Sequence, residues 1–337
     1  MTTLDETTGV ITHRIGRHGS VAIKLAAAEI RLTGTDTDQV VVRSLDGRPL
    51  PSRVTVETTE DALTIREREH FGLTFAIGEK TVQLDVELPA EADLTVDTAS
   101  GDIEARDLRG EQRYRTASGD TRLDGAGGTI ELNSVSGDTV IALAASADLA
   151  IRSVSGDVSV SGGEITALRI GTTSGDIRVD SPIRARTGTQ IDTLSGDVSL
   201  VAEAGMRVDA RTVSGDLTSD LPHRSDGRMG RRTLVVGDGS VEVAFRSVSG
   251  DLQVHDARRR GAAPPAAPVR PAPPAPPAPP RAPAGPDAAT DAAGTPVPSD
   301  DERLEILRAL EAGELDVATA MDRLAALDAA DEERSDG

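Results

Sequence analysis

RSVSGDVSV, residues 152–160, returns almost unchanged as RTVSGDLTS at 211–219 and as RSVSGDLQV at 246–254. The shared triplet Ser-Gly-Asp starts at Ser100, Ser118, Ser136, Ser155, Ser174, Ser195, Ser214 and Ser249, at intervals of 18, 18, 19, 19, 21, 19 and 35 residues. Self-similarity at a fixed period is the signature of a repeat architecture, so the period is read before any single residue.

Alignment on the serine brings out more than the triplet. Two residues earlier stands Thr98, Thr116, Ser134, Ser153, Thr172, Thr193, Thr212 or Ser247. Four residues earlier the chain has Val96, Tyr114, Leu132, Ile151, Ile170, Ile191, Ala210 and Phe245, mostly bulky and apolar. Aliphatic residues follow the aspartate, as in Ile103, Val158, Ile177, Val198, Leu217 and Leu252, and apolar residues recur two places on. Alternation of this kind on both sides of the triplet predicts strands with one face buried. No such strand pair can bury its face alone, so the fold expected is all-β. It is a parallel β-helix, or solenoid, of roughly 18–21-residue coils stacked about 4.8 Å apart. The apolar positions one before and three after the serine read as one phase, opposite to those four and six before it. A corner or bulge near the Thr/Ser position accounts for the switch, and that row is expected to form a side-chain hydrogen-bond ladder.

The stacked aspartates Asp102, Asp120, Asp138, Asp157, Asp176, Asp197, Asp216 and Asp251 admit two readings. Carboxylates at strand spacing repel, and a cation such as Ca²⁺ would relieve them. Turn chemistry needs no ion: Gly101, Gly119, Gly137, Gly156, Gly175, Gly196, Gly215 and Gly250 supply a special backbone conformation, while the aspartates accept from nearby amides. The second reading is preferred, because the denser glycine pattern of calcium-binding β-rolls is missing. No cofactor, metal site or catalytic residue is assigned.

Composition narrows the function classes. The 337 residues carry a formal net charge of −20, and aromatics make up only 1%. Nucleic acid is therefore not expected as a partner, since phosphate binding needs a basic surface and stacking rings. There is no cysteine, which excludes disulfides and thiol chemistry. The opening MTTLDETTGV lacks the basic and apolar regions of a secretory signal, and no apolar run reaches the ~18 residues of a membrane span. A cytoplasmic protein is the expectation, with a cell surface reached by a non-Sec route as the alternative.

Along the chain, residues 1–9 read as a disordered N-terminus and 10–95 as an irregular, strand-rich capping part of the solenoid. Residues 96–256 are the repeat solenoid, and the long last interval reads as one degenerate coil with an inserted loop. Residues 257–298 are a Pro/Ala-rich disordered linker of polyproline character. Within 299–331 two short helices are predicted, with Leu304, Leu307 and Leu310 on the first and Met321, Leu324 and Leu327 on the second. Two helices of that size bury too little apolar area to stand alone, so self-association or docking on a protein partner is expected.

The eight-fold [ST]-x-S-G-D-[ILVT] pattern, following VQLDVELPAEADLTVDTASGD, resembles the bacterial DUF4097 family of β-strand-repeat proteins over residues 10–256. That family often carries the label "putative adhesin". The tail RLEILRALEAGELDVATAMDRLAAL is similar to a SHOCT-like helical pair. The resemblance implies a β-helix without an established enzymatic activity. The first reading is thus a non-enzymatic scaffold or interaction protein. A cell-surface adhesin is the alternative and a β-helix carbohydrate-active enzyme the second alternative, which the scarcity of aromatic sugar platforms counts against.

Overall fold

The computed structural model describes residues 2–5, 10–45, 50, 54–67, 81–185, 188–203, 205–228 and 230–257. These residues hold 23 strands and no α-helix, and none of their segments is a helix long and apolar enough to cross a membrane. The expected linker and helical pair, with Leu304, Leu307, Leu310, Met321, Leu324 and Leu327, lie outside the described residues.

Each coil contributes two strands, one on either side of the Ser-Gly-Asp corner, and the strands pair in parallel with their counterparts in neighbouring coils. A first row of strands precedes the corner: Asp93–Ser100, Glu111–Ser118, the second half of Thr121–Ser134, the second half of Thr139–Ser155, Ile165–Ser174 and Thr189–Ser195. A second row follows it: Ile103–Arg106, the first halves of the two long strands, Val158–Gly162, Ile177–Asp180 and Val198–Ala202. Alternate residues of both rows point inward. Leu132, Ile151, Ile170 and Ile191 from the first row and Ile141, Val160, Val179 and Leu200 from the second are all buried. The core is therefore a stack of thin aliphatic layers, as the aromatic poverty predicts. Tyr114 and Phe245 are its largest side chains. The Tyr114 hydroxyl donates to Gln112 Oε1 at 3.0 Å, and Gln112 Nε2 in turn donates to the carbonyls of Leu108 and Gly127. Burial pushes the Tyr114 phenol well above its ordinary pKa.

Both ends differ from a simple sequential stack. Ser20–Thr35 is already a full coil. It lies between Ala62–Glu67 and Val82–Pro89 on one side and Asp93–Ser100 and Ile103–Arg106 on the other. Its corner is Ala27-Ala28-Glu29, in register with Ser100-Gly101-Asp102, so regular coils begin well inside the part expected to be irregular. Capping of the open edge is done by antiparallel pairs: Val54–Thr58 on Ala62–Glu67, and Gln39–Ser44 on both Val82–Pro89 and Val10–Arg14. Within the start expected to be disordered, Thr2–Asp5 pairs antiparallel with Val10–Arg14. A Thr-rich segment has the β-propensity to extend an exposed edge.

At the other end the insertion in the long interval is not a loop. His223–Arg228 and Arg231–Val236 form an antiparallel hairpin laid on Met206–Ser214. The last coil, Val241–Ser249 with Leu252–Asp256, then inserts between the coils of residues 189–202 and 206–219. Spatial order at this end is therefore Asp197, Asp251, Asp216, against the order of the chain.

Candidate functional site

The repeated corner decides what the outer surface presents. At the eight triplet glycines φ is 109–139°, a region open to glycine and closed to most other residues. A Cβ there would meet the backbone carbonyl oxygen of the preceding rung at 2.0–2.4 Å, so glycine is required on two separate grounds. Each aspartate carboxylate but that of Asp216, last in the stack, accepts a hydrogen bond from the backbone amide of the next aspartate, at 2.7–3.0 Å. Two unit charges about 5 Å apart in water repel by about 1 kcal/mol, whereas a hydrogen bond to a charged group contributes about 1.5–3 kcal/mol. The amide bond outweighs the repulsion without an ion. Among the described residues no group of three or more His, Cys, Asp or Glu is placed to hold a metal.

The Thr/Ser row works differently from the ladder expected. Thr98, Thr116, Ser134, Ser153, Thr172 and Thr212 donate within their own coil, to the carbonyl of the triplet serine, at 2.9–3.2 Å. Thr193 and Ser247, adjacent in the stack, make no such bond. This row is buried and points inward, so the corner begins after it, not at it. The residue just before the serine consequently turns outward, and the sequence assignment of that position to the core phase is corrected.

That outward row reads Ala99, Ala117, Val135, Val154, Thr173, Leu194, Val248 and Val213 in stacking order. Val135, Val154, Leu194, Val248 and Val213 are 52%, 48%, 51%, 47% and 81% exposed, and they are all of the exposed large aliphatics among the described residues. Collected on one line, they span five coil steps, about 24 Å. Scattered exposed aliphatics need no explanation, whereas five on one line, interrupted only at Thr173, form the pattern of a contact surface.

Beside the row, the outer face of the first strands carries a shallow groove of about 1150 Å³. Its floor is Ala150 and Gly171, and Arg152, Arg169 and Arg246 rise around it. Across the eight coils this face carries seven arginines (113, 115, 152, 169, 207, 211 and 246) and eight carboxylates (Asp93, Asp97, Glu111, Glu131, Asp148, Asp192, Asp209 and Glu242), close to balance on a chain of net −20, while around the groove itself Arg152, Arg169 and Arg246 stand against Glu131 and Asp192. Asp97 lies 3.7 Å from both Lys24 and Arg115, Glu131 lies 3.4 Å from Arg113, and Asp192 lies 4.0 Å from Arg246. Asp209 is held below the usual carboxylate range, first by its hydrogen bond from Arg207 and then by one from Thr233, against the opposing effect of burial. The side chains of Arg152 and Arg169 make no ion pair or hydrogen bond among the described residues. Guanidinium donors beside aliphatic area are chemistry for recognition.

Sequence reading named the structural rungs and missed this surface. Its signal was nevertheless present: counting inward from the buried Thr/Ser position puts the next residue outside, wherever the corner begins.

The chain is also similar to solved structures at low identity. They include a "putative adhesin" from Parabacteroides distasonis (14% identity, 73% of this chain and 95% of that one, TM-score 0.38) and one from Bacteroides fragilis (12%, 72% and 95%, TM-score 0.37). A third, a "putative lipid binding protein" from Parabacteroides distasonis, is 11% identical over 73% of this chain and 95% of that one, with a TM-score of 0.31. None of the curated proteins matches the chain. The model of one family, Toastrack DUF4097, matches residues 18–255, which takes in every coil described above, and the chain belongs to that family.

Proposed function

We propose that the protein is a non-enzymatic cytoplasmic scaffold whose solenoid presents a docking face to a protein partner, with residues 299–331 setting valency by self-association. The observation that carries this reading is the single row of exposed aliphatics on a surface whose other repeated residues hold the coils together. A repeated rung offers the same contact at each coil, so a partner can engage several at once, and linking copies multiplies the effect through effective concentration.

Light scattering on the full-length chain and on a chain lacking residues 300–337 tests the valency. The full-length protein is expected at a multiple of its 35.0 kDa mass, and the shortened chain as a monomer. An unchanged oligomeric state on deletion refutes tail-driven assembly. Cell fractionation addresses place: recovery wholly outside the cell would replace the cytoplasmic scaffold with the adhesin reading.

A further inference from the structure

The groove has a feature that neither packing nor backbone geometry demands. Gly171 sits in the middle of the strand Ile165–Ser174, between Arg152 and Asp192 in the stack. Unlike the triplet glycines, it does not have a φ in the left-handed region, and a Cβ built on it would meet nothing within 4 Å. Glycine inside a strand lowers stability and gives no packing. Where neither strain nor crowding requires it, the remaining consequence is the open floor it leaves, on which another chain can lie close.

Three independent observations meet at this floor. The aliphatic row of Val154, Leu194 and Val248 borders it, Arg152 and Arg169 stand over it without anionic partners among the described residues, and at Gly171 the floor lacks a side chain. We infer that the groove and its aliphatic border form a docking site for an acidic amphipathic helix of a partner protein. Aliphatic residues of the helix would cover Val154, Leu194 and Val248, and its carboxylates would pair with Arg152 and Arg169. The row's ~24 Å matches a helix of about 16 residues at 1.5 Å rise each. Glu131 and Asp192 already have Arg113 and Arg246 beside them, so Arg152 and Arg169 are the groove's unpaired charges, and they favour an acidic segment.

This inference rests on the scaffold reading, and its test uses a separate readout. The probe is a fluorescein-labelled synthetic helical peptide of about 16–18 residues, with leucine at i, i+3, i+4 and i+7 spacing and glutamate flanking the stripe. Its anisotropy is followed against the full-length protein. Saturable binding is expected, weakening as salt is raised. Replacing the peptide's glutamates by lysine, or its leucines by alanine, is expected to weaken binding roughly tenfold or more. On the protein, Gly171→Tyr fills the floor, L194S interrupts the border and R152E/R169E reverses the charge. Each is expected to weaken binding by a similar factor with the thermal midpoint little changed, because all four positions face solvent. Should Gly171→Tyr shift the midpoint, L194S and R152E/R169E carry the test.

Absence of binding, or binding indifferent to all three variants, overturns the site. So does equal binding of polyglutamate, which would reduce the groove to bare charge. Binding to phosphatidylglycerol vesicles in preference to the peptide would make it a membrane surface. A dimer abolished by L194S would make it a contact between copies. If the shortened chain keeps its oligomeric state but still binds the peptide, the valency reading fails and the docking site stands.

Discussion

At the scale of single residues, the triplet divides its labour: glycine makes the corner possible and aspartate ties one coil to the next. Gly156 shows the first role, since a Cβ there would lie 2.2 Å from the Gly137 carbonyl oxygen at a φ of 116°. Gly156→Ala is expected to destabilise the solenoid by about 2–4 kcal/mol, from backbone strain together with a forced shift of the neighbouring rung. Asp138 shows the second role, accepting from the Asp157 amide at 2.9 Å. Asp138→Ala is expected to cost about 1–2 kcal/mol and Asp138→Asn less, because the amide oxygen still accepts. Urea midpoints of the three variants give the order; Asn behaving like Ala would show that charge, not the acceptor, matters. The period made these residues legible, because eight aligned copies separate what the corner needs from what varies. By the same test the first coil stayed hidden, since Ala27-Ala28-Glu29 keeps the register and discards the letters. The exposed row stayed hidden for another reason. Valine and leucine suggest burial, and only the position of the corner, fixed by backbone geometry, sends Val154 and Leu194 outward.

Among the strands, alternation identified those inside the stack and failed at its caps. His223–Arg228 has every residue exposed, so it carries no buried-face period for a sequence reading to find. Its partner Arg231–Val236 is held on Met206–Ser214 by backbone pairing and by Asp209, which accepts from Arg207 on its own strand and from Thr233 on the hairpin at 2.7 Å. Because the fold lowers the Asp209 pKa, its contribution is present above the ordinary aspartate value of about 3.9 and is lost as pH falls through the lower folded value. The hairpin is therefore expected to open before the middle of the stack on acidification. Amide-exchange protection factors for 231–236, compared with those for 158–162 between pH 5 and pH 3, measure it. Asp209→Asn is expected to lower hairpin protection at pH 5 and to flatten its acid dependence. A hairpin that keeps pace with the middle of the stack would place its anchorage in the backbone pairing alone.

For the solenoid as a whole, the consequential feature is that the terminal coils in sequence are not the terminal coils in space. Val241–Ser249 and Leu252–Asp256 separate the coil of 189–202 from that of 206–219, and Ser20–Thr35 holds the matching place at the other end. In a sequential stack, removing the last coil abolishes one interface and leaves a new end. Here it abolishes two, and with Phe245 it takes one of the two largest buried side chains among the described residues. A chain ending at residue 240 is thus expected to lose protection throughout 206–236, although those residues are intact, while 93–180 keeps its own. Hydrogen exchange read by mass spectrometry distinguishes this from ordinary end-fraying, in which protection would fall only beside the cut. Intercalation also raises the sequence separation of contacts at both ends, and loop closure must precede the gain from those contacts. The ends should accordingly be the last parts to acquire protection in pulse-labelled refolding, with 241–256 and 206–219 protected together as one unit. Protection of 206–219 before 241–256 would mean that the C-terminal coils stack first in sequence order and open again to admit the last one.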